Sequence, residues 1–461
     1  MGRFLGVVVA VLAATLWPTV ADAATRKPNI IVILADDLGY NDIGCYGSTV
    51  NPTPHLDALA AGGMRFTDFH ASAPMCTPTR VALLTGRYQH RYGMERVLGS
   101  SGMTYEMGLP LEAMTLAEHL TAVGYATGIT GKWHLGYIPE YNPVRQGFDF
   151  FRGHVSGAGD YISHIDRSGR EDWWWNDTPH MEQGYNTHLT NGHSLDFIRQ
   201  HKDRPFFLYV SHSAVHFPWQ GPNDKADRVK GETYWSDAKW GSRTDRKAAL
   251  REMITEMDEG VGQIVALLRD LDLENDTLIL FMSDNGGHKM VSSNAPSRGV
   301  KGDVFEGGHR VPAIAYWPGK IPVGSTTDAT VTTMDLAPSV FELLGYMPPK
   351  ESEPFDGVSY LPVMLGTGAM PERTLFWRIK HKRAVRRGPW KVVIQDDTPR
   401  LYNLDRDVGE RTDLSQVYPI RIQKMLHSLT AWERDVDASA REQGLTNNWD
   451  ALEARWSPSA S

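Results

Sequence analysis

Asp36 and Asp37 follow directly on the apolar run Asn29–Ala35, and Asp284 and Asn285 stand just past Thr277–Met282. Lys132 and His134 come just past Tyr125–Thr130, and His212 and His216 past Phe206–Val210. The first set offers only oxygen ligands, which suits a hard divalent cation, Ca²⁺ or Mg²⁺, rather than zinc or copper. Lys132, His134, His216 and Lys301 add positive charge around it. A cation ringed by cationic side chains implies a multiply oxygenated anion as the reacting group, with sulfate and phosphate esters as candidates. The stretch Cys76-Thr77-Pro78-Thr79-Arg80 adds a second piece of chemistry. Pro78 suits the first turn of a helix, which puts Cys76 at the helix start and Arg80 one turn along on the same face. Unpaired N–H groups and the helix dipole favour an anion there, and Arg80 supplies a fixed cation. Cys76 is then either a small buried hydrophobe or a reactive group, and its setting favours the second.

These side chains need elements that deliver them to one place. Alternating strand and helix patterns argue for a mostly parallel sheet covered by helices on both faces. In such sheets ligands bind past the carboxyl ends of the strands, where four runs here each end in ionisable or amide groups. Helices are expected over Thr53–Ala61, stopped at Gly62-Gly63, over Thr115–Val123, stopped at Gly124, and over Asp245–Leu271. In the last, Met253, Met257, Val261, Ile264 and Leu268 fall at core spacing. Composition changes near Gly366–Pro371. Beyond it Arg383–Gln395 and Arg400–Leu404 read as antiparallel strands and Tyr418–Asp437 as a helix, with the last dozen or so residues loosely held. The expected organisation is an export segment at 1–23, a catalytic domain at 24–366 and a C-terminal subdomain at 367–461.

The chain of 461 residues, 41% hydrophobic with 14 Trp, can bury a sizeable core. Its net charge is −8 with both signs interleaved, so a nucleic-acid partner is not expected. The basic cluster Lys380–Arg387 reads as an exposed strand or substrate-facing loop. Arg3, the apolar Phe4–Trp17 and Ala21-Asp22-Ala23 read as a signal peptide, with a membrane anchor as the alternative. No later run is long enough to span a membrane, so a secreted or periplasmic mature chain starting near Ala24 is expected. Only Cys45 and Cys76 could form a disulfide.

The chain resembles the type I sulfatases across nearly all its mature length. Their C-x-P-x-R signature stands at Cys76–Arg80, followed by Leu84-Thr85-Gly86-Arg87, and their Gly-Lys-Trp-His-Leu-Gly signature at Gly131–Gly136. Thr79 departs from the serine that many members carry there. The resemblance implies an alkaline-phosphatase-like α/β fold with a small C-terminal antiparallel sheet and helix. It implies that a maturing enzyme oxidises Cys76 to formylglycine, which leaves Cys45 a free thiol near the site's floor. One hydroxyl of the hydrated aldehyde, held on a cation bound by Asp36, Asp37, residue 76, Asp284 and Asn285, attacks sulfur. The alcohol leaves and a sulfoenzyme forms. Loss of a proton from the second hydroxyl then expels sulfate. By the same resemblance His134 is the base and Arg80 steadies the hydrate. Lys132 and Lys301 hold sulfate oxygens, and His216 contacts sulfate and protonates the leaving group. His212 competes for that last role, and the His-x-Pro pattern ending at Pro218 favours His216.

The segment Gly153–Tyr185 holds His154, Asp160, His164, Asp166, Trp173, Trp174, Trp175 and His180. It reads either as a wall contacting a glycan, with His154, Asp160, His164 and Trp173 as substrate contacts, or as a long loop pinned by its tryptophans. Its flavour is similar to sulfatases acting on sulfated galactose or N-acetylgalactosamine. The expected function is hydrolysis of a sulfate ester on such a sugar. Two alternatives are a phosphodiester or phosphonate monoester hydrolase using the same chemistry, and a non-catalytic glycan binder.

Overall fold

Two apolar cores lie on opposite faces of one sheet, and the sequence of its central strand shows why. In Asn29–Ala35, Ile30, Val32 and Leu34 pack into one core and Ile31, Ile33 and Ala35 into the other. A strand buried on both faces needs an unbroken apolar run, which is what NIIVILA supplies. The computed structural model describes Gly2, residues 27–348 and residues 353–456. Apart from Gly2, the expected signal peptide lies outside the described residues.

The large sheet has ten strands. From one edge they run Ser325–Thr327, Met64–Phe66, Ala313–Tyr316, Thr277–Ser283, Asn29–Ala35, Phe206–Ser211, Ala126–Lys132, Phe150–His154, Trp174–Trp175 and Thr178–Pro179. The middle strands are parallel, and Ala313–Tyr316 joins antiparallel to Thr277–Ser283. Helices α1 (Pro54–Gly62), α2 (Cys76–Thr85), α3 (Leu116–Ala122), α4 (Asn186–His201) and α5 (Arg246–Asp270) cover its faces. α2 and α3 pack into one core, and α1, α4 and α5 into the other, where Met253, Met257, Val261, Ile264 and Leu268 are all buried. Thr115 closes the start of α3 with Glu118 in a capping box, so the helix begins one residue later than its pattern suggests.

The smaller sheet is antiparallel and has four strands, Thr374–Ile379, Lys382–Arg387, Trp390–Ile394 and Pro399–Asn403. The sequence missed the first and ran the middle two together across the Gly388–Pro389 turn. The helix Pro419–Glu442 lays Met425, Leu429, Trp432 and Val436 on this sheet and runs five residues past the expected end at Asp437. Of the tail expected to be loosely held, the described residues reach 456, and these are not simply loose. A short helix, Trp449–Trp456, follows, and Trp449 is buried with its Nε1 donating to the Gly93 carbonyl at 3.0 Å. The basic cluster is a strand, as one of the two readings had it, but only its ends, Lys380, His381 and Arg387, are exposed. Lys382–Arg387 is an inner strand, and Arg386 is buried against Asp68 at 2.7 Å. The large parallel sheet between helices with a small C-terminal antiparallel sheet is the alkaline-phosphatase-like architecture expected. Among the described residues no helix is long and apolar enough to cross a membrane.

Candidate active site

Strand register brings the polar side chains together. Ala35 pairs with Ser283, so Asp36 and Asp284 leave the sheet side by side. Gly131 pairs with Ser211, which sets Lys132 next to that edge. Gly131 has φ +88°, and a Cβ there would lie 2.2 Å from the Ser211 carbonyl, so only glycine lets the strands close up before Lys132. Asp37 and His134 also hold left-handed backbone, at φ 63° and 60°. Non-glycine residues pay for that conformation, and it concentrates where a site dictates the geometry.

Cys76 is the first residue of α2 and is buried, with Pro78 inside the first turn as expected. Thr77 Oγ1 donates to the His134 carbonyl at 3.1 Å, which ties the helix start to the next segment of the site. Thr79 keeps the hydroxyl a serine would supply, and donates it to the Ala73 carbonyl at 2.8 Å. One turn on, Arg80 is fully buried and its guanidinium makes four hydrogen bonds. Nε and Nη2 donate to Asp284 Oδ2 at 3.1 and 2.9 Å, and Nη1 donates to Ser211 Oγ at 2.6 Å and the Lys132 carbonyl at 3.1 Å. Arg80 is therefore a brace between the helix and three strands.

The carboxylates share their cations unequally. Lys132 Nζ donates to Asp36 Oδ2 and to the Gly157 carbonyl, the latter at 2.7 Å. Lys301 Nζ lies 2.6 and 2.9 Å from the two oxygens of Asp37, which also accepts from Asn285 Nδ2 at 2.8 Å. Asp284 Oδ1 accepts the Asp37 backbone N–H at 3.2 Å. Burial pushes all three carboxyls up, but Lys132, His216, Arg80 and Lys301 together hold Asp36 well below the usual carboxylate range. Asp37 stays raised despite Lys301, and Asp284 is pushed up to about 7 by burial and by Asp36, against the pull of Arg80.

The donor set fits a hard cation. Asp36 Oδ1 and Asn285 Oδ1 are buried and have no hydrogen-bond partner, although the other polar atoms of both side chains are bonded. Orphaned buried oxygens in a carboxylate cluster are what a Ca²⁺ or Mg²⁺ site leaves for its ion. One ligand atom each from Asp36, Asp37 and His216 also falls within 4.8 Å of the others.

Above this cluster opens a cleft of about 310 Å³, lined by Cys76, His134, His216 and Lys301 among the residues expected from sequence. Asp36, Asp37, Arg80, Lys132, Asp284 and Asn285 are buried and do not line it. His134 Nε2 lies 3.0 Å from the Leu98 carbonyl, and its Nδ1 has no partner. His216 turns Nδ1 to the Phe217 carbonyl at 2.7 Å, which leaves Nε2 3.8 Å from Asp37. Burial, with Lys132 for His134 and Lys301 for His216, holds both imidazoles well below their ordinary value, so both are neutral. Burial pushes the Cys76 thiol up, against Lys132 and Lys301. His212 is buried off the cleft with both ring nitrogens unpartnered.

The loop 299–312 is pressed against the site, and the C-terminal sheet holds it there. Lys382 Nζ donates to the Gly302 carbonyl and to Asp303, and Gln395 also donates to Asp303. Lys391, fully buried, lies 2.9 Å from both Glu306 and Glu410.

The proposed glycan contacts are not in the cleft. Asp160 spends Oδ1 on the N–H groups of Ile162 and Ser163, and Oδ2 on Gln220, Asp227 and Arg228. His154 Nε2 meets Ser213 Oγ at 2.5 Å, and His164 meets the Gly184 carbonyl at 3.0 Å. Trp173 is buried, stacked on His164, and donates to Glu182 at 3.1 Å. These four pin the long loop and do not line the cleft, and among their polar atoms His164 Nδ1 has no partner. Cys45 sits in a half-buried turn whose N–H donates to Asp57, and burial together with Asp57 pushes its thiol up to about 12. It does not line the cleft, and no disulfide joins it to Cys76. The walls that do line it were not picked out from sequence. They are Val97–Ser100, Tyr137, Ser156–Ala158, Arg167, Phe217, Trp235 and His288.

The sequence model of the family described as Sulfatase matches residues 28–346. The chain is 34% identical to arylsulfatase A of Homo sapiens over 455 residues, spanning 85% of this chain and 84% of that protein. It is 36% identical to N-acetylgalactosamine-6-sulfatase of Sus scrofa over 400 residues, spanning 80% and 73%. Among solved structures, Ps i-CgsB superposes with a TM-score of 0.82 at 28% identity, covering 93% of this chain and 97% of that one. The same protein is also solved in complex with k-i-k-neocarrahexaose.

Proposed function

The chain belongs to the sulfatase family and is a sulfuric ester hydrolase, and from that premise we propose that it removes sulfate from a sulfated carbohydrate through a formylglycine at position 76. The observation that carries this is the position of Cys76. It begins a helix, lines the cleft, and stands beside Lys301 and two neutral imidazoles above an oxygen-rich cation cluster. The carbohydrate reading draws support from relatives named for N-acetylgalactosamine 6-sulfate and from a neighbour solved with a carrageenan-type oligosaccharide. Galactose or N-acetylgalactosamine is the sugar proposed.

Oxidation of Cys76 would supply a hydrated aldehyde with two hydroxyls, one to displace the alcohol at sulfur and the other to lose its proton and expel sulfate as the aldehyde re-forms. A Ca²⁺, or Mg²⁺, held by Asp36, Asp37, Asp284 and Asn285 with residue 76 supplies Lewis-acid stabilisation of the negative charge. Lys301 reaches the sulfate directly from the cleft wall. Lys132 acts from beneath, by fixing Asp36. His134, neutral with Nδ1 free, can take a proton from the hydrate. His216 donates Nδ1–H to the Phe217 carbonyl, so its Nε2 would deliver a proton to the leaving oxygen only once the ring is doubly protonated. Export is part of this reading, and so is a maturing enzyme acting on Cys76–Arg80.

Trypsin releases Phe66–Arg80 as one peptide. In protein from its native host, residue 76 should have lost its sulfur and carry an aldehyde. Retention of the thiol together with turnover of an aryl sulfate would overturn the formylglycine step. Faster turnover of a matched phosphate ester than of the sulfate ester would overturn the choice of sulfate.

A further inference from the structure

Arg167 is the one permanent cation in the cleft wall, among the described residues, that forms no ion pair, although the Asp166 carboxylate next to it in the chain acts on it from a distance. The lining contains two permanently charged side chains, Lys301 and Arg167, and no Asp or Glu. Lys301 is paired with Asp37. Arg167 makes no ion pair. Its Nε faces the Tyr234 carbonyl at 3.4 Å, and its guanidinium lies over the Trp235 ring with the carbon 4.7 Å from the centroid. Trp235 itself is 42% exposed. A guanidinium carries five donors, and the Nη groups of Arg167 have no protein acceptor among the described residues.

The surroundings hold this pair in place. Tyr234 N–H donates to the Arg167 carbonyl at 2.9 Å, and Gly231 N–H to the Gly169 carbonyl at 2.8 Å, so the segment carrying Trp235 is clasped to the turn carrying Arg167. Ser168 and Arg170 both donate to the Ser100 carbonyl at 2.7 Å, which fixes that turn to the opposite wall. Buried Arg228 links Ala158, another lining residue, to Ile165. A guanidinium stacked on an exposed indole, with no carboxylate in ion-pair contact, has the Nη donors that an incoming anion would need.

We propose that Arg167 and Trp235 form a specificity subsite for a second anionic group, so that the substrate is a glycan carrying another sulfate or a carboxylate besides the sulfate that is cleaved. This rests on the sulfatase reading. The scissile sulfate lies at residue 76 and Lys301, the sugar runs along the cleft against Trp235, and the second anion receives the Nη donors of Arg167. Arg167 takes no part in bond breaking, so its contribution appears as selection between substrates.

The test compares kcat/KM for a disulfated disaccharide, a monosulfated disaccharide containing a uronic acid, a neutral monosulfated disaccharide and 4-nitrophenyl sulfate. The wild type should favour the doubly anionic sugars over the neutral monosulfated one by about 10- to 100-fold, the worth of charge-assisted hydrogen bonds. Arg167→Gln should bring that ratio close to one, mainly through KM, and Arg167→Lys should keep part of it. Preference for the disulfated or for the uronate sugar identifies which anion is taken. Raising ionic strength should erode the wild-type preference, a readout that does not depend on any variant folding. No wild-type preference, or a preference that survives Arg167→Gln, overturns the proposal. Titration of the same sugars into Cys76→Ala protein, with and without Arg167→Gln, reads binding alone. If the wild type turns over no sulfate ester, the sulfatase reading fails, and this titration still decides whether Arg167 selects the second anion.

Discussion

Replacing Lys301 by Met should cost the enzyme two to three orders of magnitude in kcat with little change in fold. An ammonium has three donors. Two of them meet the Asp37 carboxylate at 2.6 and 2.9 Å, which leaves one for the cleft that Lys301 lines. A single preorganised donor aimed at developing negative charge is worth about 10²–10³ in kcat. The structural cost is smaller. Asp37 keeps the N–H of Asn285 at 2.8 Å, so the loss is one charge-assisted bond, about 1.5–3 kcal/mol. The assay is steady-state hydrolysis of an aryl sulfate, with thermal melting and bound-metal analysis on the same preparation. The comparison variant is Lys132→Met. Its Nζ is buried on Asp36 and the Gly157 carbonyl, away from the cleft, so its loss should appear first as lost cation and lowered stability. A Lys301→Met enzyme with full metal content and kcat within threefold of wild type would refute direct contact between Lys301 and the sulfate. Equal loss of metal in both variants would refute the division of labour between the two lysines.

Asp284→Ala leaves the buried Arg80 guanidinium without its carboxylate, at a cost of about 3–5 kcal/mol, and removes an oxygen from the cation cluster. Metal content and turnover should fall together, and a variant that kept both would sink the cation-site assignment. Gly131→Ala forces a side chain into left-handed backbone, about 1–2 kcal/mol, and onto the Ser211 carbonyl, so its melting temperature should drop; an unchanged melt would mean the strands can part there freely. Burial and the nearby Glu306 push Glu410 up to about 7, despite Lys391. A carboxyl raised in the folded state gives stability that is full below its unfolded value and lost as pH rises through the folded one. Glu410→Gln should therefore gain on the wild type in melting temperature between pH 5 and pH 8, and parallel curves would remove Glu410 from that account.

The floor of the candidate site was legible because a doubly buried strand has to be apolar and a ligand edge has to be polar, so the change of character at Asp36, Lys132 and Asp284 marks the edge itself. The exact strand ends were less legible. Lys132, Ser211 and Ser283 still belong to the ladder, which is made by backbone groups that hydrophobicity does not register. The histidines and tryptophans of Gly153–Tyr185 misled for a different reason. A side chain that contacts sugar and one that pins a loop have the same composition, and only the partner decides. Asp160 finds its partners in backbone N–H groups up to 68 positions away, and Arg386 finds Asp68 across 318 positions. Neither distance leaves any local pattern. Arg167 shows the converse. Nothing in its neighbourhood in sequence marks it, because its significance lies in what it lacks: Arg80, Lys132 and Lys301 each form an ion pair with a carboxylate, and Arg167 meets an exposed ring and a single carbonyl at 3.4 Å. Arg80, Lys132 and Lys301 are buried charges that need their carboxylates, whereas the half-buried Arg167 can stay open at little cost. Arg167 is only half-buried, so water can solvate its free donors, and an anion carried by the substrate would take that water's place.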